Sequence, residues 1–184
     1  VKSNSLSKNE EENFIKDLSK SNVPVLLFSG GEPLLKNNIF ELAKFAKDRK
    51  IKPVLSTNGT LITKKVALNI KQSGFSYVGI SIDGREQTHN EFRQNKKAFQ
   101  KALTGLRNCQ NLGLKVGLRF TLTKYNFKDL PYIFDLVERE AVDRLCIYHL
   151  VYTGRGSILS NKDLNCKEKL NVLKFIWEKV DFLN

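Results

Sequence analysis

No stretch of this sequence is apolar for the roughly twenty residues that a membrane-spanning helix requires, which excludes a spanning helix. No leader of basic and then apolar residues opens the chain; its first twenty residues are mostly polar. The three cysteines, Cys109, Cys146 and Cys166, lack paired spacing. That argues against a disulfide framework and the usual zinc or cluster patterns, and makes a reducing cytoplasm the expected compartment. A phosphate loop of the form G-x-x-x-x-G-K-[ST] is absent. Methionine is missing altogether and the chain starts at Val1, so it is expected to be a piece of a longer protein. Acidic residues are scarce beside basic ones, 19 against 31, for a net charge of +12. Such a balance favours an anionic partner. The lysines are scattered, however, and aromatics do not alternate with them as in a single-strand groove. Most of them therefore read as a solvated surface, and neither a nucleic acid nor a membrane is expected as a partner.

Alternating blocks fill the 184 residues, of which 41% are apolar, enough for one sizeable core. Residues 6–20 read as a helix, with Leu6, Phe14, Ile15 and Leu18 as contacts. Apolar strands are expected at 23–29, 51–59, 76–84, 114–123 and 144–152, each bounded by turn residues. Between them lie amphipathic helices. One is closed by Gly74, one carries Phe99, Ala102, Leu103 and Leu106, and one carries Leu130, Ile133, Phe134 and Val137. A last helix bears Leu170, Leu173, Ile176, Trp177 and Val180, with Trp177 expected to pack. Strands buried on both faces and separated by helices imply parallel pairing with right-handed crossovers. Five strands are too few for a closed eight-stranded barrel; a doubly wound sheet and an open partial barrel both fit. No linker, low-complexity segment or repeat beyond the βα unit is present.

Ligands in parallel α/β folds sit at the carboxyl ends of the strands, and here all five exits are polar. They read Ser29-Gly30-Gly31-Glu32-Pro33, Ser56-Thr57-Asn58-Gly59-Thr60, Ser81-Ile82-Asp83-Gly84, Thr121-Leu122-Thr123 with Arg119 just before, and His149 followed by Thr153-Gly154-Arg155-Gly156. One turn needs about one glycine or asparagine; five exits in concert point to a shared site. The glycines let a ligand reach backbone, and strand-end carbonyls suit an ammonium group. Glu32 adds negative charge or fixes its loop.

The segments "FSGGEPLL", "LSTNGTLI", "YVGISIDG" with "HNEFR", "GLRFTLTKYN" and "HLVYTGRG", in that order, resemble the radical S-adenosylmethionine (SAM) enzymes. The resemblance is to the branch with a C-terminal SPASM-type iron–sulfur extension. Within it, "PVLLFSGGEPLL", "ALTGLRNC" and "DLPYIFDLVE" are similar to the tetrapyrrole-modifying members of the alternative heme pathway and of heme d1 synthesis. The resemblance implies that residues 1–184 are one core domain, an α/β partial (β/α)6 TIM-like barrel truncated at both ends, with its first strand and CxxxCxxC loop missing. It implies SAM and a [4Fe–4S] cluster as cofactors, the cluster ligands lying outside this chain. An electron donor such as ferredoxin or flavodoxin would reduce the cluster. SAM would then give a 5′-deoxyadenosyl radical for side-chain removal or modification on an acidic iron tetrapyrrole, as in didecarboxysiroheme deacetylation. A peptide-modifying maturase of the same branch and a non-catalytic α/β binding module are the alternatives. Carried over residue by residue, Gly30, Gly31, Glu32 and Pro33 would hold the SAM ammonium, and Thr57 and Asn58 would line the same pocket. Ser81 and Asp83 would lie near the ribose and carboxylate, with Arg93 as the carboxylate partner. Arg119 and Thr121 would sit on the next exit, and Gly154 with Gly156 would approach the adenine.

Each candidate has a plainer role to weigh. Cys109 extends a helix stripe, Cys146 lies in a buried strand and Cys166 opens the last helix, so none is expected to bind metal. Asp83 could brace its own turn. His89 reads as a helix-entry residue. His149 could face the ligand or be a hydrogen-bonded structural histidine, and Arg155 could clamp a substrate carboxylate or lie on the surface.

Overall fold

The computed structural model describes residues 6–151 and 163–183. Helix α1 (Lys8–Lys20) begins at a capping box: Ser7 accepts from the Glu10 amide, and the Glu10 carboxylate accepts from the Ser7 amide. Five strands follow, β1 (Val25–Phe28), β2 (Lys52–Thr57), β3 (Tyr77–Ser81), β4 (Val116–Leu122) and β5 (Arg144–His149). The crossovers are α2 (Ile39–Lys47), α3 (Lys64–Gln72), α4 (Glu86–Phe92) with α5 (Ala98–Gln110), and α6 (Leu130–Arg139). Helix α7 (Cys166–Leu183) closes the described chain. Each strand is shorter than its apolar run, because the flanking residues turn away from the sheet. Helix α4 had no apolar stripe to announce it.

All strands pair parallel in the order β1-β2-β3-β4-β5. That order decides between the two architectures left open by the sequence. Successive right-handed crossovers without a reversal put every connecting helix on one face, which curls the sheet into a partial barrel instead of a doubly wound layer. The helical face holds the core: Leu55, Val78, Ile80, Leu118 and Phe120 from the strands meet Ala67, Ile70, Ala102, Leu106 and Ile133 from the helices. A second cluster, Ile15, Leu42, Ala46 and Ile51, seats α1 on α2. Gly74 follows α3 at φ +84°, the left-handed residue a helix end favours.

Burial on both strand faces fails at the edge. Val25 and Leu27 of β1 stay 45% and 47% exposed on the concave side, while Leu26 and Phe28 pack beneath the helices. Leu6 and Phe14 are likewise exposed, as are Leu170, Leu173 and Trp177 of α7; Trp177, at 72%, does not pack. Helix α7 docks instead through Val172, Phe175 and Ile176, with Phe175 edge-on to Phe134. No helix among the described residues is long and apolar enough to cross a membrane.

Candidate cofactor site at the strand exits

The β1 exit is built around a carboxylate that faces its own protein. Glu32 Oε1 accepts from Thr57 Oγ1 at 2.6 Å and from the Leu34 amide at 3.2 Å, while Oε2 accepts from the Asn58 amide at 2.8 Å. The side chain thus caps the 3-10 turn Pro33–Leu35 and staples the β1 exit to that of β2. Thr57 Oγ1 in turn accepts from the Gly59 amide, and Asn58 Oδ1 accepts from the Thr60 amide and hydroxyl. Pro33 and Thr57 are buried. What this frame presents is Gly30 and Gly31. A Cβ at either would meet nothing within 4 Å, and their peptide groups make no hydrogen bond among the described residues. Both residues are exposed, and backbone carbonyls without internal partners suit an ammonium group. Gly30 sits at φ +136°, which side chains rarely adopt; Gly31 carries no such constraint.

A second frame joins the β3 and β4 exits. Asp83, 1% exposed, accepts from Arg93 Nε at 2.7 Å and Nη2 at 2.6 Å. Its amide donates to His89 Nδ1 at 3.0 Å, and its carbonyl accepts from Asn126 Nδ2 at 3.0 Å. Asn126 also donates to the Thr121 carbonyl at 2.9 Å and accepts from the Thr123 amide and hydroxyl, so its amide group bridges both exits. Burial pushes the Asp83 carboxyl up from its ordinary value, against the charge and hydrogen bonds of Arg93 and the Thr121 backbone. His89 Nδ1 lies 3.6 Å from the Asp83 carboxylate, yet the two are not an ion pair near neutral pH. Burial, with Arg93 adding, pushes the imidazole down to about 4, and Nδ1 is already an acceptor. His89 is a buried brace for the Asp83 turn.

The structure therefore places Gly30, Gly31, Glu32, Pro33, Thr57 and Asn58 in one bonded unit, and Ser81, Asp83, Arg93 and Thr121 in a second on the neighbouring strands, at the same end of the sheet. Arg93 spends its Nε and Nη2 on Asp83 but keeps 34% of its side chain exposed at the rim. Arg119 lies mid-strand and lies across the ring of Tyr148 at 4.5 Å. His149 shares the parity of Leu145 and Ile147, which pack on the helical core, so it points away from the concave face. Gly154, Gly156 and Arg155 lie outside the described residues. Sequence reasoning missed Asn126 and the bracing role of His89, since neither carries a local signature. A surface cavity of about 590 Å³ lies elsewhere, between the Thr60–Thr63 turn and α5, with Lys97 and Lys101 as its charged lining.

Residues 1–137 match the Radical SAM superfamily, and this chain belongs to it. It is 49% identical over 176 residues to the Fe-coproporphyrin III synthase of Methanosarcina barkeri, covering 96% of this chain and 44% of that protein. It is 46% identical over 143 residues to the pre-heme d1 synthase of Dinoroseobacter shibae, covering 78% of this chain and 35% of that protein. The chain thus spans less than half the length of these two relatives. In fold it matches SuiB of Streptococcus suis bound to its precursor peptide (TM-score 0.83, 16% identity, 97% of this chain and 40% of that one). It also matches anSMEcpe with bound AdoMet (TM-score 0.78, 23% identity, 100% and 55%). Membership brings SAM and a [4Fe–4S] cluster as cofactors. The Gly30–Gly31 cradle fits the first. The second does not find its ligands here: Cys109 is buried on α5, Cys146 lies on β5 and Cys166 opens α7. No group of three or more metal-binding side chains converges among the described residues.

Proposed function

We propose that this chain is the SAM-binding core of an enzyme acting on a carboxylate-bearing iron tetrapyrrole, removing or modifying a side chain in heme biosynthesis, as a didecarboxysiroheme deacetylase does. The observation that carries the cofactor half is the bare Gly30–Gly31 backbone held open by the Glu32 staple. The tetrapyrrole half is supported by identities of 49% and 46% to two synthases of that chemistry, against 29% to a mycofactocin maturase. The likeness to peptide-bound SuiB is one of fold and adds nothing for a peptide substrate.

When bound and reduced by one electron, SAM supplies a carbon radical that abstracts a substrate hydrogen. A [4Fe–4S] cluster, whose ligands are not among these residues, would supply that electron, with a small carrier such as ferredoxin or flavodoxin as its donor. The chain's own part is to bind and orient. The Gly30 and Gly31 carbonyls accept from the ammonium, with Pro33 and the Thr57–Asn58 turn fixing their position. Ser81 and the Asp83–Arg93 pair shape the rim for the ribose and carboxylate, and Thr121 borders it from β4.

Calorimetric titration of SAM into the full-length, cluster-loaded protein tests the cofactor half. Gly31→Val fills the cradle without backbone strain and should weaken binding about 10- to 100-fold, the cost of forcing extra methyl groups into a contact surface. Unchanged affinity would remove the assignment.

A further inference from the structure

Two arginines stand apart from the rest. Arg49 donates to the Phe45 carbonyl, Arg85 pairs with Asp129, Arg93 with Asp83, and Arg107 and Arg139 with Glu140. Arg119 and Arg144 have aromatic contacts but no carboxylate or carbonyl acceptor among the described residues. Both project from the concave face. Register pairs Arg119 with Cys146 and Gly117 with Arg144, and strand alternation puts Tyr77, Gly79 and Tyr148 on that same side. Arg144 lies 5.5 Å from the Tyr77 ring and Arg119 4.5 Å from that of Tyr148. Near both charges is the hydroxyl of Tyr77, a buried polar atom with no hydrogen-bond partner among the described residues. Cys146 neighbours it, but a thiol is too weak a partner to satisfy it. Burial, with Cys146 adding, pushes the phenol up to about 12, so it stays a proton donor at neutral pH.

The cluster is made room for. Gly79 and Gly117 are register partners at the centre of the sheet. A Cβ on Gly79 would strike the Arg119 side chain at 2.8 Å, and one on Gly117 would run into the Tyr77 hydroxyl. Packing alone would be served by phenylalanine at 77, since a buried hydroxyl without a partner is costly. Two guanidiniums and one orphan O–H donor on one surface are the donor set for a carboxylate. At the opposite edge of the same face, Val25 and Leu27 offer exposed apolar surface.

We infer that Tyr77, Arg119 and Arg144 form a carboxylate-binding floor for the acidic side chains of the substrate, with its apolar ring toward Val25 and Leu27. The inference rests on the tetrapyrrole reading. A carboxylate could also be SAM's own, since Arg119 is the register partner of Ser81 at the rim, but Tyr77 and Arg144 open their strands. The cradle is at the other ends, about 16 Å along a six-residue strand such as β5.

The test uses the full-length protein and two probes, iron coproporphyrin III and its tetramethyl ester, followed by their Soret absorbance. Wild type should bind the acid more tightly than the ester. The double variant Arg119→Gln/Arg144→Gln should weaken the acid about 10- to 100-fold and leave the ester unchanged. Should it not fold, Arg144→Gln alone, at an exposed position, carries the test with a smaller loss. Tyr77→Phe should weaken the acid several-fold yet raise the melting temperature of the free protein, which a merely structural tyrosine would not do. SAM affinity should hold in Tyr77→Phe and Arg144→Gln. A preference for the acid that survives in the variants overturns the floor and leaves the tetrapyrrole reading standing. Loss of SAM with acid binding intact reassigns the carboxylate to SAM and also overturns it. A wild type that binds neither probe removes the tetrapyrrole reading, and the floor with it.

Discussion

Glu32 could add charge to a ligand site or hold a loop, and its three hydrogen bonds to Thr57, Asn58 and Leu34 settle the matter in favour of the loop. Glu32→Ala should therefore behave as a positioning variant. It leaves three donors to find other partners, at a cost of about 1–3 kcal/mol, and should lower SAM affinity without any direct contact. Chemical denaturation and SAM titration together check this; a stable variant with wild-type affinity would contradict the staple. His89 makes a second residue-level prediction. Its folded pKa, about 4, lies below the ordinary 6.5. Between those values the unfolded chain binds the extra proton, so stability falls as pH drops from about 6.5 toward 4, by up to about 1.4 kcal/mol per unit. His89→Gln, which keeps an acceptor for the Asp83 amide, should flatten that slope in urea midpoints recorded against pH. Asp83 was legible as a strand-exit carboxylate. That its amide and carboxylate would both find partners on α4 and its cap, and its carbonyl one beyond β4, was not, because no local spacing encodes it.

At the scale of elements, alternation and helical stripes located the strands and all but one helix, since burial on one face leaves a periodic trace. Helix α4 left none: it is held by His89, buried beside Phe99, and by Arg93 on Asp83. Exposed Leu173 and Trp177 show the converse, a run whose apolar residues exceed what its neighbours cover. Strand glycines are a readable signal of close backbone approach, and Gly79 with Gly117 is such a case. Gly117→Ala should destabilise the β3–β4–β5 region by about 1–3 kcal/mol, because the new methyl meets the Tyr77 hydroxyl and the Arg144 carbonyl, the latter at 2.8 Å. Tyr77→Phe in that background should recover part of the loss. Additive effects in the double-mutant cycle would deny the contact.

For the molecule as a whole, the strand order turns the separate exits of β1 to β4 into one rim and the five strands into one concave face. The net charge of +12 should draw an anionic macrocycle toward that face. Binding of iron coproporphyrin III should therefore weaken from 0.1 M to 1 M salt, as the Debye length falls from about 10 Å to 3 Å. Salt-independent binding would assign the lysines to surface solvation alone. These 184 residues by themselves should not assemble a [4Fe–4S] cluster, since their cysteines occupy a buried helix face, a strand and a helix start. Anaerobic reconstitution with iron and sulfide checks this; a stoichiometric cluster absorbance with 5′-deoxyadenosine formation would refute it.

Sequence by itself determined the parallel α/β class, the order of its units, the polar strand exits and the glycine-rich "GGEP" turn, because hydrophobic period and turn chemistry are local. Only the tertiary structure decided the partial barrel over the doubly wound sheet, since crossover direction and strand order are properties of the assembled sheet. Tertiary structure alone also turned Glu32 and Arg93 inward to hydrogen-bond partners, and left Arg119 and Arg144 with aromatic contacts but no carboxylate or carbonyl acceptor among the described residues. Which donor meets which acceptor depends on residues 25, 10 or 43 positions apart, and that pairing exists only once the strands lie side by side.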